Sequence, residues 1–291
     1  MGKRILITGG SGLIGSYLVD ALSRDASNKI YIVGRQNAVF NRSNVFSISI
    51  DFNSTWHESS LPADTDAIIH LSQAENFREF PGKAKEVFNI NTVSTMRLID
   101  FAVENGVKHF IYASSGGIYG NNDKKFTEEQ DIIYKGEIGF YLATKHCSEV
   151  ILSNYFNRLN VAILRFFFVY GKGQRKSMLI PRLLDFVKNG EPIILQGSEG
   201  MRINPVHALD ASNAICAALL LKESHIINVA GPRVLSLRHI GEIMGDLLDI
   251  KPRFIVDEKT EAKNLIGDIT KMSHLLNSPV IELAQGIKTI I

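Results

Sequence analysis

Lys3-Arg4-Ile5-Leu6-Ile7-Thr8-Gly9-Gly10-Ser11-Gly12-Leu13-Ile14-Gly15 is the stretch on which the reading of this chain turns. Lys3 to Thr8 has the pattern of a buried strand. Gly12 to Ser23 then places Leu13, Tyr17, Leu18, Ala21 and Leu22 on one helical face. Glycines 9, 12 and 15 sit where strand meets helix. Without a Cβ the backbone can turn tightly and approach a pyrophosphate, and the last glycine permits close helix–strand packing. The helix N-terminus offers free N–H groups to the phosphate charge. A glycine triplet alone is often only a tight turn. Between a clean strand and a clean helix it is a strong signal for a dinucleotide, so Gly9, Gly12, Leu13, Ile14 and Gly15 are expected cofactor contacts.

Outward from this turn, short β-branched runs alternate with segments of helical period. Ile30 to Val33, Val45 to Ile50 and Ala67 to Leu71 read as the next three strands. Val87 to Glu104 predicts a long helix, His109 to Ala113 a strand, Phe140 to Phe156 a helix and Val161 to Val169 a strand. Strands separated by helix-length segments imply parallel β-α-β units. The expected fold is therefore α/β, a doubly wound parallel Rossmann sheet. Beyond Gly171 the rhythm changes. A polar run, Lys172 to Ser177, precedes a helix over Leu179 to Lys188. Short strands (Pro192 to Leu195, Ile226 to Val229, Arg253 to Val256) then mix with helices at Leu209 to Leu221 and Leu237 to Leu248. The expected organisation is a dinucleotide-binding domain over residues 1-171, with segments near 203-229 returning to it. Residues 172-291 would form a smaller, mainly substrate-binding C-terminal lobe.

Composition narrows the class. The 32 basic and 30 acidic residues leave a formal charge of +2, which gives no footprint for non-specific nucleic-acid binding and no basic block for a membrane surface. The apolar run Val161 to Val169 is broken by Arg165 and falls short of the ~20 residues that span a bilayer. Met1 to Gly9 lacks the apolar core and cleavage site of a signal peptide. Cys147 and Cys216 are isolated, which fits a reducing cytosol, so a cytoplasmic location is expected. The eight histidines and two cysteines show no zinc-ligand spacing, and no metal is expected.

Three further elements carry chemistry. At the end of the second strand an NAD enzyme usually has Asp or Glu for the ribose 2′-hydroxyl, whereas this chain has Val33-Gly34-Arg35. A guanidinium can instead pair with a 2′-phosphate, so NADP(H) is expected over NAD(H); a solvated loop arginine is the alternative. Asp51 could accept from the adenine amino group or cap its loop, and Phe52 beside it belongs to the same expected cofactor site. Tyr141-Leu142-Ala143-Thr144-Lys145 puts a phenol and an ammonium on one helix face. The reference pKa of a phenol is about 10, and a nearby cation lowers it toward the working range of an acid/base. The alternative is a Tyr–Lys pair on a solvated face. Ser114 and Ser115 end an apolar strand, at the sheet edge where ligands bind in open α/β sheets. One of them could simply cap the following turn.

The glycine turn, Ser114-Ser115-Gly116-Gly117-Ile118-Tyr119-Gly120, the Tyr141 to Lys145 helix and Arg165 to Gly171 occur in one order and spacing. Together they resemble the extended short-chain dehydrogenase/reductases, the NAD(P)-dependent epimerase/dehydratase family that acts mostly on nucleotide sugars. The resemblance is strong through residue 171 and weaker beyond it. It implies Tyr141 as acid/base, Lys145 as ligand of the nicotinamide ribose and modulator of Tyr141, and Ser115 as partner of the reacting oxygen, with Ser114 as the fallback. His70-Leu71-Ser72-Gln73 resembles the family's H-x-A-A strand end, which adds Leu71 and Ser72 to the cofactor site. It also implies a homodimer through the helices at Val87 to Glu104 and Phe140 to Phe156.

Departures from the family pattern narrow the reaction. Gly116-Gly117 stand where 4,6-dehydratases carry acidic groups, so dehydration is not expected. Phe168 replaces a substrate-contacting Asn, and Arg202 is the candidate ligand of the substrate diphosphate. Asp210 is expected to cap the helix that follows it, and Phe166 to Phe168 could equally be plain core. The expected activity is 4-epimerisation or 4-keto reduction of a nucleotide sugar by hydride transfer. The alternatives are a short-chain reductase of a non-nucleotide carbonyl and a non-catalytic dinucleotide-binding regulator.

Overall fold

The computed structural model describes residues 2–35, 40–132 and 138–291. Its first elements follow the alternation of the sequence: β1 (Arg4–Thr8), α1 (Leu13–Ser23), β2 (Lys29–Gly34), β3 (Val45–Ser49) and β4 (Ala67–His70). After them come α2 (Ala84–Phe88), α3 (Ser94–Glu104), β5 (His109–Ser115), α4 (Phe140–Ser153) and β6 (Asn160–Phe166). The later part holds α5 (Leu179–Lys188), β7 (Pro192–Gln196), β8 (Arg202–Ile203), α6 (Ala208–Ala218) and β9 (His225–Val229). It ends with β10 (Leu235–Ser236), α7 (Leu237–Leu248), β11 (Arg253–Asp257), α8 (Thr270–Leu275) and α9 (Leu283–Ile287).

A seven-stranded sheet runs β3-β2-β1-β4-β5-β6-β9. The pairings of β1 with β2 and β4, of β2 with β3, and of β4 with β5 are all parallel. Chain direction reverses its order at β1, so β1 and β4 form the switch point at which such sheets bind ligands. The fold is the expected doubly wound α/β sheet.

The chain divides into two compact units. One comprises Met1–Ile118, Tyr134–Arg165 and Ser212–Ile227; the other comprises Tyr119–Ile133, Phe166–Ala211 and Asn228–Ile291. In the first, Leu6, Ile68, Phe110 and Ile163 on the strands pack with Leu98, Ile99 and Ala102 of α3 and Leu152 of α4. Each of the Leu, Ile and Phe side chains among them contributes roughly 1.5–3 kcal/mol on burial. The second unit has its own core, in which Leu183 and Leu184 of α5 meet Ile193 and Leu195 of β7 and Ile240 and Met244 of α7. There β11 pairs with β7 in parallel and β10 with β8 antiparallel.

Two local departures from the expected elements have physical causes. The long helix predicted from Val87 begins at Ala84 and contains a π turn over Asn89–Val93. That wider turn leaves the carbonyl of Asn91 to side chains, as described below. The strand predicted through Val169 stops at Phe166, because Phe168 takes a left-handed backbone with φ 44°. A left-handed residue cannot continue a pleated strand. No helix among the described residues is long and apolar enough to cross a membrane.

Candidate active site

The glycine turn is built tightly. Gly9 has φ 70°, and a Cβ on Gly15 would stand 2.2 Å from the carbonyl oxygen of Gly9, so only glycine fits there. Helix α1 starts from Gly12 with no side-chain cap, and its first backbone bond is from Ser16 N–H to Gly12 C=O. The N–H groups of Leu13, Ile14 and Gly15 precede that bond, as an anion site at a helix N-terminus requires. These residues fit a dinucleotide.

Beside the turn, His70 ends β4 fully buried, and its ring ties three elements together. Nδ1 lies 2.6 Å from Thr8 Oγ1 and Nε2 lies 3.0 Å from Thr95 Oγ1. Thr95 already donates to Asn91 C=O, so it accepts from Nε2–H, and Thr8 donates to Nδ1. Burial, with the nearby Lys145 charge, lowers the His70 pKa to about 3, and the ring is neutral. Thr8 Oγ1 also accepts from Ser72 N–H at 3.1 Å, which fixes the loop of Leu71 and Ser72 beside the glycine turn.

Helix α4 carries Tyr141, Thr144, Lys145, Ser148 and Glu149, spaced to share one face. Polar bonds lock that face. Asn91 Nδ2 donates to Thr144 Oγ1 at 3.0 Å, its Oδ1 accepts from Ala74 N–H, and its carbonyl accepts from Ser148 Oγ at 2.9 Å. Glu149 and Arg165, 3% and 4% exposed, form a buried ion pair closed at 2.7 Å. Despite its burial the carboxyl of Glu149 stays below the usual range, with the His146 ring 4.0 Å away and the Arg165 guanidinium hydrogen-bonded to both of its oxygens.

Lys145 is buried and donates from Nζ to Ala113 C=O at 2.8 Å. Its Nζ lies 5.0 Å from the ring centre of Tyr112 and 6.0 Å from that of Tyr141. Burial lowers its pKa to about 7, only partly offset by Glu149. The Tyr141 hydroxyl donates to Gln73 Oε1 at 2.9 Å, and Phe77 packs against its ring at 4.7 Å. Burial pushes that phenol up. A charge on Lys145 would favour the phenolate over the phenol.

Ser114 and Ser115 face opposite ways at the end of β5. Ser114 is buried and helps to hold the carboxyl of Glu149 low. Ser115 is half-buried and accepts from Gly117 N–H at 3.2 Å. A Cβ on Gly117 would press on Leu142 at 3.0 Å, so this turn has little room for a side chain beside Tyr141.

Other expected site residues lie as follows. Asp51 caps its own loop, accepting from Asn53 N–H at 2.9 Å and Ser54 Oγ at 3.2 Å. The Phe52 side chain is in the core against Trp56. Arg35, expected to face a 2′-phosphate, pairs with Glu75 at 2.8 Å. In the second unit Phe168 packs against the core of that unit, while Arg202 is half-exposed and lies 3.6 Å from Asp123 Oδ1. Phe166 and Phe167 are core. Asp210 does not cap the start of α6, which begins at Ala208. Its carboxylate accepts from the N–H groups of Val280 and Ile281. Sequence reasoning missed Gln73, Glu75 and Asn91. The serine and glutamine in place of the two alanines of H-x-A-A were the available signal for Gln73; Asn91 and Glu75 had none.

The UDP-glucuronate 4-epimerase of Thermodesulfobacterium geofontis is 27% identical over 76% of this chain and 70% of its own length. The dTDP-D-glucose 4,6-dehydratase of Mus musculus is 27% identical over 75% of this chain and 65% of its own. A solved structure of MoeE5 in complex with UDP-glucuronic acid and NAD superposes with TM-score 0.83, at 25% identity and 99% and 97% coverage. The expected preference for NADP(H) therefore finds no support in that relative, which holds NAD, and the arginine behind it is occupied by a carboxylate. Dehydratases occur among the relatives as well as epimerases. The family model described as NAD dependent epimerase/dehydratase matches residues 5–230, and the chain belongs to that family.

Proposed function

We propose that the protein is an NAD-dependent 4-epimerase of a nucleotide sugar, with Tyr141 as acid/base. The observation that carries this reading is the locked α4 face. There Tyr141 and a buried Lys145 stand one helical turn apart beside the carboxyl end of β5, where Ser115 lies. Gly9, Gly12, Leu13, Ile14, Gly15, Leu71 and Ser72 would hold the dinucleotide. When bound, NAD supplies a reversible hydride acceptor. Tyr141 takes the proton of the C4 hydroxyl as the ketone forms and returns it as the ketone is reduced from the opposite face. Lys145, when charged, favours the phenolate and so lowers the cost of that transfer. Ser115 hydrogen-bonds the reacting oxygen, and Phe168 and Arg202 belong to the substrate site by resemblance.

The relatives that act as UDP-sugar 4-epimerases and the NAD-bound MoeE5 support this choice. Elimination of water needs an acid beside the serine. Gly116-Gly117 offer none, which favours epimerisation over 4,6-dehydration. A homodimer is the expected assembly, supported by exposed Met96 and Val103 on α3 and Val150 on α4. A cytoplasmic location accords with two free cysteines, Cys147 and Cys216.

The test is incubation with NAD and, separately, UDP-glucuronic acid, UDP-glucose and dTDP-glucose, with products resolved by chromatography. A 4-epimer is expected from a UDP-sugar. A 4-keto-6-deoxy product from dTDP-glucose would overturn the preference over dehydration. Tyr141→Phe should keep NAD binding and lose turnover by about 10³-fold. Turnover equal to that of the unaltered protein would remove Tyr141 from the mechanism.

A further inference from the structure

The carboxyl end of β2 is where a sheet of this type meets the adenosine ribose, and NAD selection there usually rests on a carboxylate of β2 itself. This chain has none at Val33-Gly34-Arg35. The carboxylate comes instead from the segment after β4. Glu75 Oε1 lies 2.8 Å from the guanidinium of Arg35, and the Arg35 backbone carbonyl accepts from Ser49 Oγ at 3.3 Å. In the sheet β1 lies between β2 and β4. The pair thus links the two segments that flank the strand leading into the glycine turn. Arg35 and Glu75 are 55% and 48% exposed, and an ion pair so exposed adds little to stability.

We infer that Glu75 makes this site selective for NAD over NADP by occupying Arg35, an inference that rests on the proposed binding of a dinucleotide at Gly9 to Gly15. A 2′-phosphate can win the guanidinium only by displacing a carboxylate already bound to it, and it then carries its own charge up to that carboxylate. A 2′-hydroxyl makes no such demand and can donate to Glu75. Arg35 without Glu75 would be an NADP determinant; Arg35 with Glu75 is not. One acid, forty residues further along the chain, reverses the meaning of the arginine.

The test is competition. Purified protein is equilibrated with an equimolar mixture of NAD and NADP and desalted, and the released dinucleotides are quantified. The unaltered protein should retain mostly NAD. Glu75→Gln, and independently Glu75→Ala, should raise the ratio of NADP to NAD by about tenfold, the scale of one charge-assisted contact. Adding Arg35→Gln to Glu75→Gln should remove that gain. Thermal unfolding of each variant checks that the fold is kept. An unchanged ratio in both Glu75 variants, or equal retention of NADP by the unaltered protein, overturns the inference while leaving the proposed function standing. Retention of neither dinucleotide overturns the proposed function itself, and the inference with it.

Discussion

Arg165 and Arg202 both come from segments that resemble motifs of the family, yet the two units treat them in opposite ways. In the first unit Arg165 is 4% exposed and clamped on Glu149, which is 3% exposed. In the second, Arg202 is 46% exposed and touches Asp123, itself 85% exposed, at 3.6 Å. The same contrast extends to the neighbours. Around Arg165 the polar groups of α4, β5 and the π turn hold one another in place: Asn91, Thr144, Ser148 and Lys145 are all buried. Arg202 donates from its backbone N–H to Asn264 Oδ1 at 2.7 Å, and its half-exposed guanidinium is held only by Asp123 among the described residues, at 3.4 Å from the carbonyl and 3.6 Å from the carboxylate. The first unit fixes the groups that would do chemistry. The second leaves its arginine half-exposed, on a pair that solvent screens.

The contrast breaks most visibly in stability. Arg165→Met strands the Glu149 carboxylate in the interior and should cost about 3–5 kcal/mol in urea unfolding. Adding Glu149→Gln should restore most of it, since a buried pair replaced as a whole costs far less than one cut in half. Arg202→Met removes a half-exposed pair and should cost about 0–1 kcal/mol. Equal losses at the two arginines would mean that Arg165 is no more structural than Arg202.

A second test uses pH and the first unit alone. Burial holds Lys145 at about 7, against an ordinary value of 10.5. Between those values the unfolded chain binds a proton that the folded one does not, so stability rises with pH over that window. Below about pH 7 both states are protonated and the cost of the buried charge is fully present. Unfolding without added dinucleotide should show a rise of about 2–3 kcal/mol from pH 7 to pH 9, which Lys145→Met abolishes. An identical pH profile in Lys145→Met would show that the ammonium is solvated in the folded protein, and the proposed coupling to Tyr141 would lose its basis.

How far the sequence carries follows the same division. Strands β1, β4 and β6 were legible because their apolar runs are buried on both faces. The glycine turn was legible because only glycine tolerates 2.2 Å to the Gly9 carbonyl. Tyr141 and Lys145 followed from helical spacing. What was not legible depends on loops meeting across the sheet. Arg35 read as a phosphate ligand because Glu75, which occupies it, is separated from it by two strands of chain. Gln73 lies on a loop after β4, and nothing local says that it reaches the Tyr141 hydroxyl. Asp210 looked like a helix cap because a carboxylate before an apolar segment usually is one. Its partners, Val280 and Ile281, lie about seventy residues away.

The smallest net effect is expected at Phe168, set against its neighbour Phe167 in the second unit. Phe167 is 1% exposed and packs with Tyr119 and Phe126, whereas Phe168 is only partly buried and holds φ 44°. A left-handed backbone costs a bulky residue on the order of 1–2 kcal/mol, a penalty that Asn largely escapes. Phe167→Asn loses a full aromatic burial and should destabilise by about 3–5 kcal/mol. Phe168→Asn exchanges a partial burial for relief of strain, so the two changes oppose and the net should lie within about 1 kcal/mol of zero. Urea midpoints of the two variants decide it. If Phe168→Asn costs as much as Phe167→Asn, the side chain at 168 is ordinary core and the fold tolerates the strain for packing alone. If it costs almost nothing, packing does not explain why an aromatic stands at 168 in a backbone conformation suited to asparagine, and the substrate role assigned to Phe168 gains its first support that does not come from resemblance.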